Sequence, residues 1–273
     1  MGVEKVLYTL SGGLPVAGIM KLGDAIYVLT WKARCPEVEV YDVITYRLQR
    51  SLAMPNIRGF TDMTSCEHYR CLYIGDHIVE CIHRLDVQGA ATQWYLIDKP
   101  LGLSVNAAHN VLVTCDEVRK IKEFSSHGNL LRELTLPDDV IHPTHAIQLT
   151  NGQFIVCHGR HDDAVHRVCK ISADGRDIIQ SHGGQRGSDT GQYDVPAHLA
   201  VDNNGFVLLV DQNNQRVKLL SPALDYIRQV VPPDEQWQWW PRHLSLDTHK
   251  QLLYVVDNEV NLSAAGRVVV FAL

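Results

Sequence analysis

Six prolines recur along this chain at near-regular spacing: Pro15, Pro55, Pro100, Pro143, Pro196 and Pro241, at intervals of 40, 45, 43, 53 and 45 residues. The last four open visibly related segments, Pro100-Leu-Gly-Leu-Ser-Val, Pro143-Thr-His-Ala-Ile-Gln, Pro196-Ala-His-Leu-Ala-Val and Pro241-Arg-His-Leu-Ser-Leu. A period of 40–50 residues signals an array of small units, none of which can bury its own hydrophobic face. A stacked array is therefore required before any single residue is interpreted.

Each proline is followed by a short apolar segment, a turn, and then a strongly apolar run. Those runs read Ala25-Ile-Tyr-Val-Leu29, Cys71-Leu-Tyr-Ile74, Asn110-Val-Leu-Val-Thr114, Gln153-Phe-Ile-Val-Cys157, Phe206-Val-Leu-Leu-Val210 and Leu252-Leu-Tyr-Val-Val256. Their length and their β-branched and aromatic content suit strands buried on both faces. A third run alternates, as in Arg216-Val-Lys-Leu-Leu220, and a fourth follows a turn, as in Tyr226-Ile-Arg-Gln-Val230. Asn151-Gly152, Asp174-Gly175 and Asn204-Gly205 punctuate them as turns. Four strands per unit, repeated radially, make the blades of a β-propeller.

The two ends of the chain complement one another. The sixth unit stops one strand short, after Arg267 to Ala272, while Val3 to Leu10 forms a strand-like run that the first unit does not need. Pairing the two closes the ring without an open sheet edge. The expected fold is all-β: one domain over residues 1–273, a six-bladed β-propeller of four-stranded antiparallel blades, closed by a strand near residues 3–10.

Composition narrows the function. The 45% hydrophobic content supports a substantial core, and the net charge of −6 gives no general attraction for DNA or for anionic membranes. No apolar run approaches the ~18–20 residues of a membrane span. The seven cysteines are odd in number and lack C-x-x-C spacing, so they read as reduced, mostly buried thiols of a cytoplasmic protein. Folded sequence begins almost at once, as expected for one domain cut from a longer protein.

Residues Gly191 to Pro222 resemble the NHL repeat, matching its pattern at Gly191, Pro196, Val201, Asp202, Gly205, Asp211, Asn214, Arg216 and Val217. Other blades fit more loosely, through Pro100, Gly102 and Asp116 or Pro241, Asp247 and Asp257. The resemblance implies a six-bladed scaffold that serves protein binding, RNA binding and, in one lineage, an amidating lyase. It also implies attachment to larger chains, such as tripartite-motif ubiquitin ligases. Fold alone does not choose among these activities.

The expected binding face is the rim carrying the inter-blade loops and the loops between second and third strands, where the connections are longest and most polar. On it, Arg186, Arg216, His161, Trp237 and Trp239 are the candidate binding residues, exposed tryptophan being a frequent hot-spot residue. A protein partner is the first reading and single-stranded RNA stacked on the same aromatics the alternative. No cofactor is expected. The second alternative is a metal-dependent lyase or hydrolase using His145, His198 and His243, which recur at one repeat position. The amidating lyase carries its metal histidines directly after the repeat proline. Here they fall one residue later, and on a strand that shift turns a side chain to the opposite face. The three are therefore expected to fill the repeat's glycine position and bond to neighbouring loops. Asp76, Asp116, Asp211 and Asp257, each ending a second strand, read as turn devices accepting backbone N–H groups.

Overall fold

The computed structural model describes residues 6–11, 15–32, 35–231, 240–258 and 266–273. Within them lie six four-stranded antiparallel sheets, and no helix is long and apolar enough to cross a membrane. The sheets are arranged as the blades of a propeller. Their innermost strands are Val16–Leu22, Phe60–Cys66, Gly102–Val105, Pro143–Gln148, Pro196–Val201 and Pro241–Asp247. Each packs against the next around the axis, and the first also meets the last, so the ring is closed.

The hydrophobic core lies between blades. Six buried clusters occupy the six blade interfaces; Leu72 and Ile74 of blade two, for example, pack against Leu29 and Val38 of blade one. This explains the unbroken apolar runs of the sequence. A second strand such as Cys71–Asp76 or Val207–Asp211 is buried along its whole length because each of its faces meets a neighbouring blade. Outermost strands such as Ala91–Tyr95 and Leu130–Thr135 are largely exposed.

Closure follows the expected pairing. Val6–Ser11 runs antiparallel to Arg267–Ala272, with Leu10 opposite Val268 and Thr9 opposite Val269, and completes the sixth blade. All seven cysteines are free thiols.

Two local features position the channel. The first is a β-bulge at the head of the inner strands: pairing slips between Pro143 and His145, Pro196 and His198, Pro241 and His243, and Val16 and Gly18. Blade two slips likewise between Phe60 and Met63, so Phe60 takes the place the repeat gives to proline, and Pro55 lies outside the strand. A bulge inserts one residue and so resets the alternation of side chains. The second is the aspartate ending the second strand. Asp76 accepts the N–H groups of Arg58 and Gly59, Asp211 that of Asp194, and Asp257 that of Trp240. These carboxylates pin the incoming inter-blade chain to the strand beside it.

Removing residues 1–11 would bare the backbone edge of a strand whose Val268, Val269 and Val270 are buried. The truncated chain is expected to melt ~10 °C lower or more and to aggregate at its midpoint, as several kcal/mol of lost closure imply. A truncated chain that melts unchanged would show that the ring does not depend on this strand.

Candidate functional site at the channel axis

Because the bulge resets alternation, the residue two places after Val16, Phe60, Pro143, Pro196 and Pro241 faces the axis, and so does the residue two places after Pro100. The same register position holds Gly18, Asp62, Gly102, His145, His198 and His243 around the ring. The bulge takes up the one-residue shift after the proline, and the three histidines meet at the axis. They do occupy the position that two other blades fill with glycine. Glycine there has a steric reason: a Cβ on Gly102 would lie 2.4 Å from the Thr144 carbonyl oxygen and 2.9 Å from the His145 Cα.

The three imidazoles form a row of tilted rings, with centroids 4.0 Å apart for His145 and His198 and 4.1 Å for His198 and His243. Asp62 meets them from blade two, on the far side of the axis. Its carboxylate lies 3.0 Å from His243 Nε2, 3.5 Å from His198 Nε2 and 3.6 Å from His145 Nε2. It also accepts the N–H groups of Leu103 at 2.6 Å and Met63 at 2.8 Å.

Carbonyl partners fix two tautomers. His145 Nε2 donates to Leu103 O and His243 Nε2 to Met63 O, both at 2.9 Å. A carbonyl only accepts, so in both rings the proton is on Nε2 and the lone pair on Nδ1. The Nδ1 atoms of all three histidines are buried without a hydrogen-bond partner among the described residues.

Burial drives His198 down to about 3, assisted by the neighbouring His145 and His243 and opposed by Asp62. His145 is lowered too, again mainly by burial. Burial alone would raise Asp62, but the charge and hydrogen bonds of His198 and His243 outweigh it and hold the carboxyl well below the usual range. Near neutral pH the axis thus carries an ionised carboxylate beside two imidazoles, those of His145 and His198, that resist protonation.

This cluster divides the channel, since His198 lines a cavity on either side. The cavity towards the first-to-second-strand turns is about 660 Å³ and polar, lined in part by Lys21, Glu67, Ser104 and Asp247. The one towards the inter-blade rim is about 410 Å³ and includes Arg160, His161, Trp240 and Arg242. A third cleft of about 490 Å³ joins the second by sharing Ala17, Gln212, Trp240 and Arg242, and adds Trp31, Arg58, Phe60 and Ile78.

The predicted binding residues divide. His161 lies exposed at the channel mouth, its ring 3.1 Å from the Asn213 amide. Arg186 is exposed but pairs with Asp194 at 3.0 Å and donates to the His161 carbonyl. Arg216 is turned inward: it pairs with Asp211 at 2.8 Å and donates to the carbonyls of Ser188, Asp189 and Gln192. The half-buried Arg216 clamps the glycine-rich inter-blade loop and is not presented to a partner, which corrects its expected role. Buried Lys218 completes that clamp through Thr190 O and Gln192 O, and burial lowers its pKa to about 8. Trp237 and Trp239 lie outside the described residues.

Sequence reasoning missed Asp62 because no proline marks the head of its strand. The available signal was the Phe60-Thr-Asp-Met63 run aligned on the following apolar strand. Arg242 was likewise passed over, although it stands inside a repeat signature.

No family model and no curated protein sequence matches the chain. Solved structures do match over nearly its whole length. The virginiamycin B lyase of Staphylococcus aureus shares 11% identity, with 96% of this chain and 99% of that one covered and a TM-score of 0.66. A protein of unknown function from Bacteroides thetaiotaomicron shares 15%, covering 98% of this chain and 72% of that one, with a TM-score of 0.69. Hydrazine synthase of Kuenenia stuttgartiensis shares 12%, covering 90% and 75%, with a TM-score of 0.63. At such identities the likeness is one of fold.

Two outcomes test this reading of the axis. Asp62→Ala leaves the buried N–H groups of Met63 and Leu103 without an acceptor, and is expected to cost about 3–5 kcal/mol in urea denaturation. The lowered pKa of His198 means that acid protonates the unfolded chain first. Its contribution to stability is full above pH ~6.5 and is lost as pH falls towards 3. The urea midpoint should therefore drop between pH 7 and pH 5, and drop less in His198→Gln; equal drops in both would show that His198 is not held neutral.

Proposed function

We propose that this propeller is a recognition module of the NHL type that binds a protein partner on the rim carrying the inter-blade loops. One observation carries the reading. The channel mouth on that rim opens into two joined clefts walled by Trp31, Phe60, Ile78 and Trp240, with Arg242 common to both. Concave, mostly apolar clefts with a few convergent polar groups are the usual form of a binding site. Reduced thiols suit a cytoplasmic setting, and the repeat resemblance suits the substrate-recognition end of a larger tripartite-motif-like chain.

Single-stranded RNA is the less favoured ligand of the same face. The basic run Arg119, Lys120 and Lys122 is neutralised within the protein, Arg119 by Asp138, Lys120 by Glu133 and Lys122 by Asp98. A polyphosphate chain needs several free cations along its path.

A second reading rests on the axis itself. One ligand atom from each of Asp62, His198 and His243 lies within 4.8 Å of the others, a spacing that suits a divalent metal and a lyase or hydrolase. Against it stands the tautomer of His243, whose Nε2 already donates to Met63 O. Zinc titration tests this reading: a melting point raised in the native chain and unchanged in His198→Ala would favour it.

The recognition reading is tested by photo-crosslinking in cells. Benzoylphenylalanine at the position of Ile78, 61% exposed on the cleft, is expected to give adducts with a discrete protein. The same group at Tyr69, in a first-to-second-strand turn on the opposite rim, is expected to give none. Adducts from Tyr69 alone would overturn the proposed face, and adducts with RNA would transfer it to the alternative.

A further inference from the structure

We infer that the joined clefts at the channel mouth recognise an acidic side chain flanked by apolar or aromatic residues in an extended peptide, with Arg242 as the anion's anchor. The inference rests on the recognition reading above and specifies its ligand. Arg242 sits at the bulge of its inner strand, where the extra residue is turned out of the ladder and into the mouth. Its two chain neighbours are committed, Pro241 to the strand pairing and His243 to the axis. The Arg242 guanidinium itself has no hydrogen bond or ion pair among the described residues.

The charges near Arg242 do not satisfy it. Asp62, the acid whose field reaches it, already accepts two backbone N–H groups and lies 3.0 Å from His243 Nε2. Arg160, on the same cleft, is paired with Asp116 at 2.8 Å. Arg58, on the third cleft, is exposed and has no ion pair among the described residues. Arg242 is exposed too, yet the enclosing walls partly desolvate it, and that lowers its pKa with Asp62 opposing. A guanidinium with incomplete hydration and no paired carboxylate among the described residues gains from an incoming planar anion, which it can meet with two parallel N–H groups.

The rest of the ligand follows from the walls. On one side of Arg242 the cleft is lined by Trp31, Phe60, Ile78 and Trp240, which suit an apolar or aromatic side chain beside the acid. On the other side lie the polar groups Thr61, His161 and Gln212, which suit peptide backbone. The two clefts run into one another across Arg242 and form an open trough rather than a closed pocket. A chain can therefore cross it, and the acid is an internal side chain rather than a terminus. Arg58 and Arg242, neither of them ion-paired among the described residues, on a protein of net charge −6 match one or two anionic groups and not a long polyanion.

The test is selection of a phage-displayed library of random dodecapeptides on the full chain. Hits are resynthesised with acetylated and amidated ends and measured by fluorescence anisotropy. The expected hits carry Asp or Glu next to an aromatic or large aliphatic residue. Their affinity should fall tenfold or more in Arg242→Gln and when the acid is changed to its amide, while Arg242→Lys recovers part of the loss. Since Arg242 is exposed and has no partner among the described residues, the variant should keep the melting point of the native chain.

Hits without an acid that lose affinity in Trp240→Ala would overturn the anion inference and leave the recognition face intact. Hits indifferent to both Arg242→Gln and Trp240→Ala would place binding elsewhere and overturn both. A library yielding no hits would also count against both. Binding that requires a free C-terminal carboxylate would overturn the choice of an internal acid.

Discussion

Everything in this molecule depends on what is done with the axis. Six inner strands brought into a ring leave a channel too polar, because of the strand backbones, to be filled with hydrocarbon alone. Here one carboxylate, three imidazoles and two glycines share the register position that points inward. Asp62 binds backbone N–H groups of blades two and three and faces imidazoles from blades four, five and six. It is thus a tie between halves of the ring that are far apart in sequence. A carboxylate so placed is costly to desolvate, and only the complete set of partners makes it tolerable.

The same logic repeats outward at lower stakes. Blades bury their hydrophobic faces only against each other, so their orientation must be fixed by something more directional than apolar contact. The strand-end aspartates do this through the N–H groups of the arriving chain, and Asp211 extends the device through Arg216 to the glycine-rich loop. The most conspicuous ionic groups of the sequence are therefore largely occupied with architecture. That is why the exceptions carry functional weight, and Arg242 is the clearest: a guanidinium at a channel mouth, beside tryptophans, with no acid paired to it among the described residues.

A plug at the axis with open clefts beyond it separates the parts of the molecule that must stay rigid from those free to meet a ligand. The lyase and the other proteins of the same fold share the frame at 11–15% identity, a level at which frames persist and sites do not. In this chain His145 and His243 are tied to carbonyls, and His198 lies 3.5 Å from the Asp62 carboxylate. The apolar clefts stay open to solvent.

The proline period, the two-sided apolar runs and the mutual deficit of the chain ends determined the propeller, its blade number and its closure, because those are properties of pattern and count. The recurrence of His145, His198 and His243 at one repeat position was equally visible. Their direction was not, since it turns on a bulge that strict alternation does not anticipate. Asp62 could not be matched to them without knowing that Phe60 stands where other blades carry proline. Arg216 looked like a surface cation in the sequence, and only the tertiary structure closed the inter-blade loop over it. Local pattern fixes which residues pair along a strand. Which side chains meet across a ring, and which charge is left unpaired, depends on register and on contacts between segments more than a hundred residues apart, and that only the folded chain decides.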